Sequence, residues 1–141
     1  MEWLVDLVDY GVLGVLFSLC FLVVGFSLER WLFYRKVDVT MYNRKQELEL
    51  VICKNLQFIG TVAGNAPYIG LLGTVLGIML TFYNIGQDAA LQTSTIMVSL
   101  ALALKATAVG LVVAIIAVIL YNALTRRAKN LVLLWEIQHE R

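Results

Sequence analysis

The chain alternates between long apolar runs and polar stretches that hold all but one of its charged residues. Three runs are long enough to cross a membrane, at residues 10–28, 65–86 and 95–122. A helix rises about 1.5 Å per residue and the hydrocarbon core of a bilayer is about 30 Å thick, so about 20 residues suffice. The pattern therefore predicts an all-α integral membrane protein with three transmembrane helices.

The stretch between the first two spans, residues 29–64, is polar but has an apolar stripe at helical spacing. The stripe consists of Leu48, Val51, Ile52, Leu56 and Ile59. It predicts an amphipathic helix over residues 43–60 that packs against its own bundle. Gly60, Gly64 and Pro67 follow, and proline is best tolerated in a first helical turn. We therefore expect the second spanning helix to begin near Pro67 and to end at Gly86.

The third span continues into a polar tail, residues 123–141, without a helix-breaking residue. No Gly or Pro lies between residue 111 and the end of the chain. The absence of breakers predicts one helix from about residue 95 to about residue 137, projecting beyond the bilayer.

The basic residues predict the orientation of the three spans. Segments 1–9 and 87–94 contain no Lys or Arg, whereas segment 29–64 contains six and the tail four. Basic residues accumulate in cytoplasmic segments. The N-terminus and the turn at 87–94 are therefore expected outside, and segment 29–64 and the C-terminus inside, in the cytoplasm.

Composition and motifs argue against several classes of function. The chain is 60% hydrophobic and 15% charged, which argues against an ordinary soluble domain, and its net charge of +1 gives no attraction to nucleic acid. Cys20, Cys53 and the lone His139 form no metal-ligand spacing, so we expect no metal and no cofactor. No nucleophile–base pair, phosphate loop or HExxH motif is present, so an enzyme is not expected.

Two of the spans carry stripes of small residues with a threonine in each. Thr74 shares a helix face with Gly70, and Gly73 and Gly77 form a GxxxG pair beside it. On the third span Thr107 shares a face with small residues. These are Ala103, Gly110 and Ala114. The stripes suit helix packing, and the threonines leave open either a hydroxyl bonded to its own backbone or a polar pathway.

Lys105 is the one charged residue inside a predicted span. A lysine there costs about 2.5–3.5 kcal/mol on insertion scales. No acidic residue of this chain is expected at its depth. Lys105 is therefore expected to contact an acidic group on a neighbouring subunit or a bound lipid, and Lys105→Met to weaken assembly.

Two segments resemble the second and third spanning helices of the ExbB/TolQ/MotA proton-channel family. They are APYIGLLGTVLGIMLTF, residues 66–82, and ALKATAVGLVVAIIAVILYN, residues 103–122. The Glu29–Arg30–Trp31 end of the first span is similar too. The likeness is nearest to the ExbB branch and next to the TolQ branch.

The resemblance implies a homopentamer in the bacterial inner membrane around two copies of an ExbD-like single-span protein. The partner's intramembrane aspartate would carry protons, and the motion would energise a TonB-like protein for outer-membrane import of iron complexes and cobalamin. Thr74 and Thr107 match family threonines that line the pore near that aspartate. The alternatives are a TolQ-like subunit of the Tol-Pal envelope system, a flagellar stator subunit or a non-conducting membrane scaffold.

The sequence departs from the family pattern at two positions. Leu102 stands where many relatives have a glutamate, and Ile116 where many have a proline. The resemblance therefore gives this chain no glutamate at that position, and the two threonines are the remaining candidates for proton transfer.

Overall fold

The structure is a computed structural model that describes residues 2–88 and 90–140. Its elements are α1 (Glu2–Lys36), a short 3₁₀ helix (Val39–Met41), α2 (Lys45–Ile52), α3 (Leu56–Gln87) and α4 (Thr93–His139). No strand occurs within the described residues. Three helices, α1, α3 and α4, are long and apolar enough to cross a membrane. The all-α architecture with three candidate spans is thus confirmed.

The bundle is built around the pair α3 and α4, which pack along most of their shared length. Helix α1 lies against both of them. Most of the outward-facing side chains of α1, such as Phe17 and Phe21, are large, apolar and exposed. Such a surface suits lipid, and the chain is a multi-pass membrane protein.

Helix α3 begins 11 residues before Pro67, so the expected start near this proline is wrong. A proline inside a helix removes one backbone hydrogen bond and costs about 3 kcal/mol in water. The turns before it are nevertheless held by tertiary packing, since Leu56, Ile59 and Val62 are buried in the core. Gly60 in the same stretch gives room to Tyr121, whose ring would lie 2.9 Å from an added Cβ.

The continuous helix expected over residues 43–60 is also wrong. Helix α2 stops at Ile52, and Asn55 takes a left-handed conformation with φ 68° before α3 begins. Asparagine tolerates that conformation better than most residues and is common just after helices. The apolar stripe nevertheless packs as predicted, because Leu48 and Ile52 are fully buried.

Helix α4 is a single element of 47 residues, as the absence of breakers predicted. At about 1.5 Å per residue it is about 70 Å long, more than twice the hydrocarbon thickness. Its tail is tied to the segment between the spans by two contacts. Trp135 donates a hydrogen bond to the Tyr42 carbonyl at 2.7 Å, and Lys45 forms an ion pair with Glu136.

Candidate functional site

The closest approach of α3 and α4 lies at two glycines that face each other. A Cβ added to Gly70 would lie 2.6 Å from the Ala106 carbonyl oxygen, and one added to Gly110 would lie 2.8 Å from the Ala66 carbonyl oxygen. Real side chains do not approach a backbone that closely. Only glycine at both positions allows the two backbones to come together here.

The other small residues extend this contact along both helices. A Cβ on Gly77 would lie 2.9 Å from the Ala103 Cβ, and one on Gly73 would lie 2.9 Å from both the Ala106 Cβ and Val12 of α1. Ala114, one turn beyond Gly110, is buried. The small-residue stripes thus meet at the α3–α4 interface, and α1 joins it at Gly73.

The two threonines lie side by side in this interface. The hydroxyls of Thr74 and Thr107 are in direct hydrogen-bonding contact. The Thr74 Oγ1 is also 3.1 Å from the Ala103 carbonyl oxygen and 3.3 Å from the Gly70 carbonyl oxygen. The Thr107 Oγ1 lies 3.4 Å from the same Gly70 carbonyl oxygen. Thr74 is buried, whereas Thr107 is partly exposed.

This cluster has more acceptors than protons. Each hydroxyl has one proton to donate and two lone pairs to accept with. Two protons therefore face four oxygens, namely the two Oγ1 atoms and the carbonyls of Gly70 and Ala103. More than one hydrogen-bonding arrangement satisfies the pair, and a lone pair remains for a further donor. A group that can both donate and accept is what a proton relay requires.

The pair lies deep in the membrane-spanning part of the bundle. Thr74 is 13 residues before the end of α3, and Thr107 is 14 residues after the start of α4. Each is therefore about 20 Å along its helix from the end predicted to be periplasmic. The residues around them are apolar, so the hydroxyls are the strongest hydrogen-bonding side chains at this level of the α3–α4 interface.

Lys105 has a carboxylate of its own chain beside it. Its Nζ lies 3.5 Å from the Asp9 Oδ2, so the expectation that no acidic residue of this chain lies at its depth is wrong. In a helix the Cα–Cβ bonds tilt toward the N-terminus, which turns Lys105 toward the start of α4. Contact with a neighbouring subunit or a lipid stays a prediction.

Sequence reasoning missed a second polar cluster, where α1 meets the end of α2. The buried Arg30 donates to the Val51 carbonyl at 2.7 Å, and Tyr34 donates to the Ile52 carbonyl. Glu29 pairs with the same guanidinium. The last carbonyls of a helix have no partner within it, and a cation is favoured there. The signal was an arginine and a tyrosine one turn apart just after an apolar run.

Comparison with known proteins identifies the family of this chain. The family model described as the MotA/TolQ/ExbB proton channel family matches residues 26–137. The chain belongs to the MotA/TolQ/ExbB proton channel family. The match includes α3 and most of α4, and with them the threonine pair.

Named relatives within this family are similar over nearly the whole chain. "Biopolymer transport protein ExbB" of Aquifex aeolicus is 50% identical over 139 residues, covering 99% of this chain and 94% of the relative. "Putative biopolymer transport protein ExbB-like 2" of Helicobacter pylori is 47% identical over 134 residues, covering 95% and 89%. "Tol-Pal system protein TolQ" of Pseudomonas aeruginosa is 38% identical over 98 residues, covering 70% and 41%. The full-length likeness is therefore to proteins named ExbB.

Proposed function

We propose that this chain is the proton-channel subunit of an ExbB-type complex in the bacterial inner membrane. With an ExbD-like single-span protein it would convert the proton-motive force into motion of a TonB-like protein. That motion would drive outer-membrane import of substrates such as iron complexes and cobalamin. The ExbB-named relatives, similar along almost their whole length, support this role.

The observation that carries the proposal is the pair of hydroxyls formed by Thr74 and Thr107 deep in the α3–α4 interface. A carboxylate of a partner helix, placed against Thr107, would accept a hydrogen bond from its hydroxyl. After protonation it would donate to the lone pair of the same oxygen. Thr107 is the more exposed of the two. It is therefore the member of the pair that would meet the partner or a bound water.

The proposed complex is a homopentamer around two copies of the partner. Three spanning helices are too few to enclose a water path alone, and in this subunit small residues close the space between α3 and α4. A path would thus form between subunits and the partner. Surrounding lipids would cover the outward face of α1.

The proposed orientation has the N-terminus in the periplasm and the C-terminus in the cytoplasm. Ten of the eleven basic residues lie in segments 29–64 and 123–141, on the side predicted to be cytoplasmic. The first turns of α1 carry only acidic charge. Protons would therefore enter at the acidic end and leave at the basic end.

The energy available per proton is modest. Moving one charge across the membrane releases about 2.3 kcal/mol per 100 mV. A conformational step of a TonB-like protein would therefore draw on several protons.

The test uses Thr107→Val, Thr74→Val and the double variant, with Thr107→Ser as the matched control. Valine keeps the shape of threonine and loses the hydroxyl, whereas serine keeps the hydroxyl. We expect each valine variant to reduce energised uptake at least tenfold in cells lacking the native subunit, and Thr107→Ser to retain most of it. Native mass measurement of the complex with its partner verifies assembly.

The scaffold alternative makes the opposite prediction. A bundle that only holds a partner needs the glycines but not the hydroxyls, so fully assembled valine variants with undiminished uptake would show that the hydroxyl role is wrong.

The TolQ relative supports a second candidate, a subunit of the Tol-Pal envelope system. Expression in strains lacking one or the other system separates the two roles. We expect uptake to be restored in the strain without ExbB. Restoration of envelope integrity alone, in the strain without TolQ, would favour the second candidate.

A further inference from the structure

The first turns of α1 lie alongside the outer parts of α3 and α4 rather than beyond them. Val12 fills the space at Gly73, and Asp9 pairs with Lys105. Gly73 is 14 residues before the end of α3, or about 21 Å along the helix. Two carboxylates, Asp6 and Asp9, are therefore placed beside stretches of α3 and α4 that are apolar enough to lie in the membrane.

These turns of α1 border two adjoining cavities within the subunit. The outer one, of about 520 Å³, lies between the start of α1, the end of α3 and the start of α4. The inner one, of about 90 Å³, continues toward the middle of the bundle as far as Gly73 and Ala106. Both are lined by Val5, Asp6, Thr81 and Ser99, so they form one crevice. Its inner end lies one residue from Thr74 and one from Thr107.

The lining of the crevice combines apolar side chains with several polar ones. Asp6, Thr81, Asn84, Asp88, Thr95 and Ser99 line its outer part. Asp9 lines the inner part and has Lys105 beside it, whereas Asp6 forms no ion pair within the described residues. A carboxylate in contact with hydrocarbon loses its hydration, which costs several kcal/mol. An acyl chain is therefore a poor occupant, and water is a good one.

We infer that this crevice is filled with water from the outer side of the membrane, down to the level of the threonine pair. Liquid water occupies about 30 Å³ per molecule, so even the inner part has room for a few waters. The crevice lies inside one subunit, between α1 and the α3–α4 pair, and is distinct from a path formed between subunits. Its ligand is water and the protons that water carries. This inference rests on the spanning helices and does not require that the protein conducts protons.

The test compares two adjacent positions on α1 at the same depth. Val8 lines the crevice, whereas Leu7 is 62% exposed and lines neither of its two parts. Each is replaced by cysteine in a full-length protein whose own thiols are removed by Cys20→Ala and Cys53→Ser. The complex with its partner is then treated from each side of the membrane with a charged, membrane-impermeant thiol reagent. Leu102→Cys, which borders the inner cavity and is itself 51% exposed, reports the deeper level.

We expect Val8→Cys to react at least tenfold faster than Leu7→Cys, from the outer side only, and Leu102→Cys to react from the same side. A thiol in lipid is neither ionised nor reached by a charged reagent. Equal fast reaction at Val8→Cys and Leu7→Cys would overturn the inference, because that level would then lie outside the membrane. No reaction at Val8→Cys and Leu102→Cys would overturn it too, because the crevice would be dry or covered. Uptake by the threonine variants tests the proposed function separately. Its outcome does not alter the thiol reactivities expected at Val8→Cys and Leu102→Cys.

Discussion

The helix pair α3–α4 is held together in two different ways along its length. Deep in the membrane its contact consists of small residues, with Gly70 against Gly110 and two hydroxyls between the helices. At the end predicted to be cytoplasmic, Leu56 and Ile59 of α3, Leu124 of α4 and the neighbouring α2 form a core of large side chains. The difference follows from the solvent. Lipid gives no hydrophobic driving force between helices, so close backbone contact must supply the attraction, whereas in water burial of large side chains does.

The two regions also place their polar groups differently. In the membrane region the threonine hydroxyls have more acceptors than protons and can exchange partners. In the other region Arg30, Tyr34 and Trp135 each donate to a single backbone carbonyl, at Val51, Ile52 and Tyr42. One region is arranged to change its hydrogen bonds, and the other is arranged to keep them.

The largest effect is expected from filling the glycine contact in the membrane region. Gly70→Ala places a Cβ 2.6 Å from the Ala106 carbonyl oxygen, and backbone cannot move aside as a side chain can. Overpacking of this kind costs about 1–3 kcal/mol, and we expect the α3–α4 pair to separate and the complex to be lost. Native mass measurement reports the loss of the complex, and thermal unfolding in detergent reports the loss of stability.

Gly64→Ala in the same helix is the matched control. A Cβ on Gly64 has nothing within 4 Å, and alanine favours helix by about 1 kcal/mol over glycine. This variant should be as stable as the native chain or more so. Equal stability of the two alanine variants would refute the close contact at Gly70.

The next largest effect is expected at the cap of α2. Arg30→Met keeps the aliphatic stem and leaves the Val51 carbonyl without its side-chain donor, at a cost of about 1–3 kcal/mol. Hydrogen exchange in α2 should accelerate while that of the membrane part of α4 is unchanged. Tyr34→Phe, which removes one hydroxyl and keeps the ring, should give a smaller change in the same amides. Unchanged exchange in both variants would show that the cap does not hold α2.

A smaller effect is expected at the pair Asp9–Lys105. Both side chains are partly exposed, so we expect Asp9→Asn or Lys105→Met to cost about 1 kcal/mol or less. The exchanged variant Asp9→Lys with Lys105→Asp should regain the thermal stability that Asp9→Lys alone loses. If the exchanged variant does not regain thermal stability, the pair with Asp9 is not the main contact of Lys105. The contact first expected, with a neighbouring subunit or a lipid, would then be favoured.

The smallest effect is expected at the pair Lys45–Glu136, which is partly exposed and lies outside the predicted spans. The carboxylate of Glu136 raises the pKa of Lys45 above its ordinary value. A raised lysine pKa contributes stability that is full below the unfolded-state pKa and is lost as pH rises through the folded-state pKa. Lys45→Met should thus change stability slightly at neutral pH and not at all at a pH where the lysine is deprotonated. Thermal unfolding at the two pH values measures this.

Much of the membrane architecture follows from the sequence, because helix length and apolar runs are local properties. Residue counts and the absence of helix-breaking residues were enough to predict the three spans and the unbroken α4. Helical periodicity was enough to predict which helix face carries Thr74 and which carries Thr107. Their direct contact could not be predicted from the sequence alone.

The remaining features depend on contacts between distant segments. The break after Ile52 coincides with donors from α1 that are 18 and 21 positions away, and their spacing alone does not show which carbonyls they reach. The start of α3 before Pro67 depends on core packing that outweighs the cost of the proline. The pairing of Asp9 with Lys105 depends on how deeply α1 sits beside α3 and α4, and an apolar run gives its length but not its depth.

The most direct test of the central claim is proton flux in vesicles that contain this chain together with the proposed single-span partner. The native complex is compared with Thr107→Val and Thr107→Ser complexes of verified composition under the same imposed gradient. The account predicts that the valine variant conducts at least tenfold less than the native complex and that the serine variant conducts nearly as well. Native-like flux through the valine variant would contradict it.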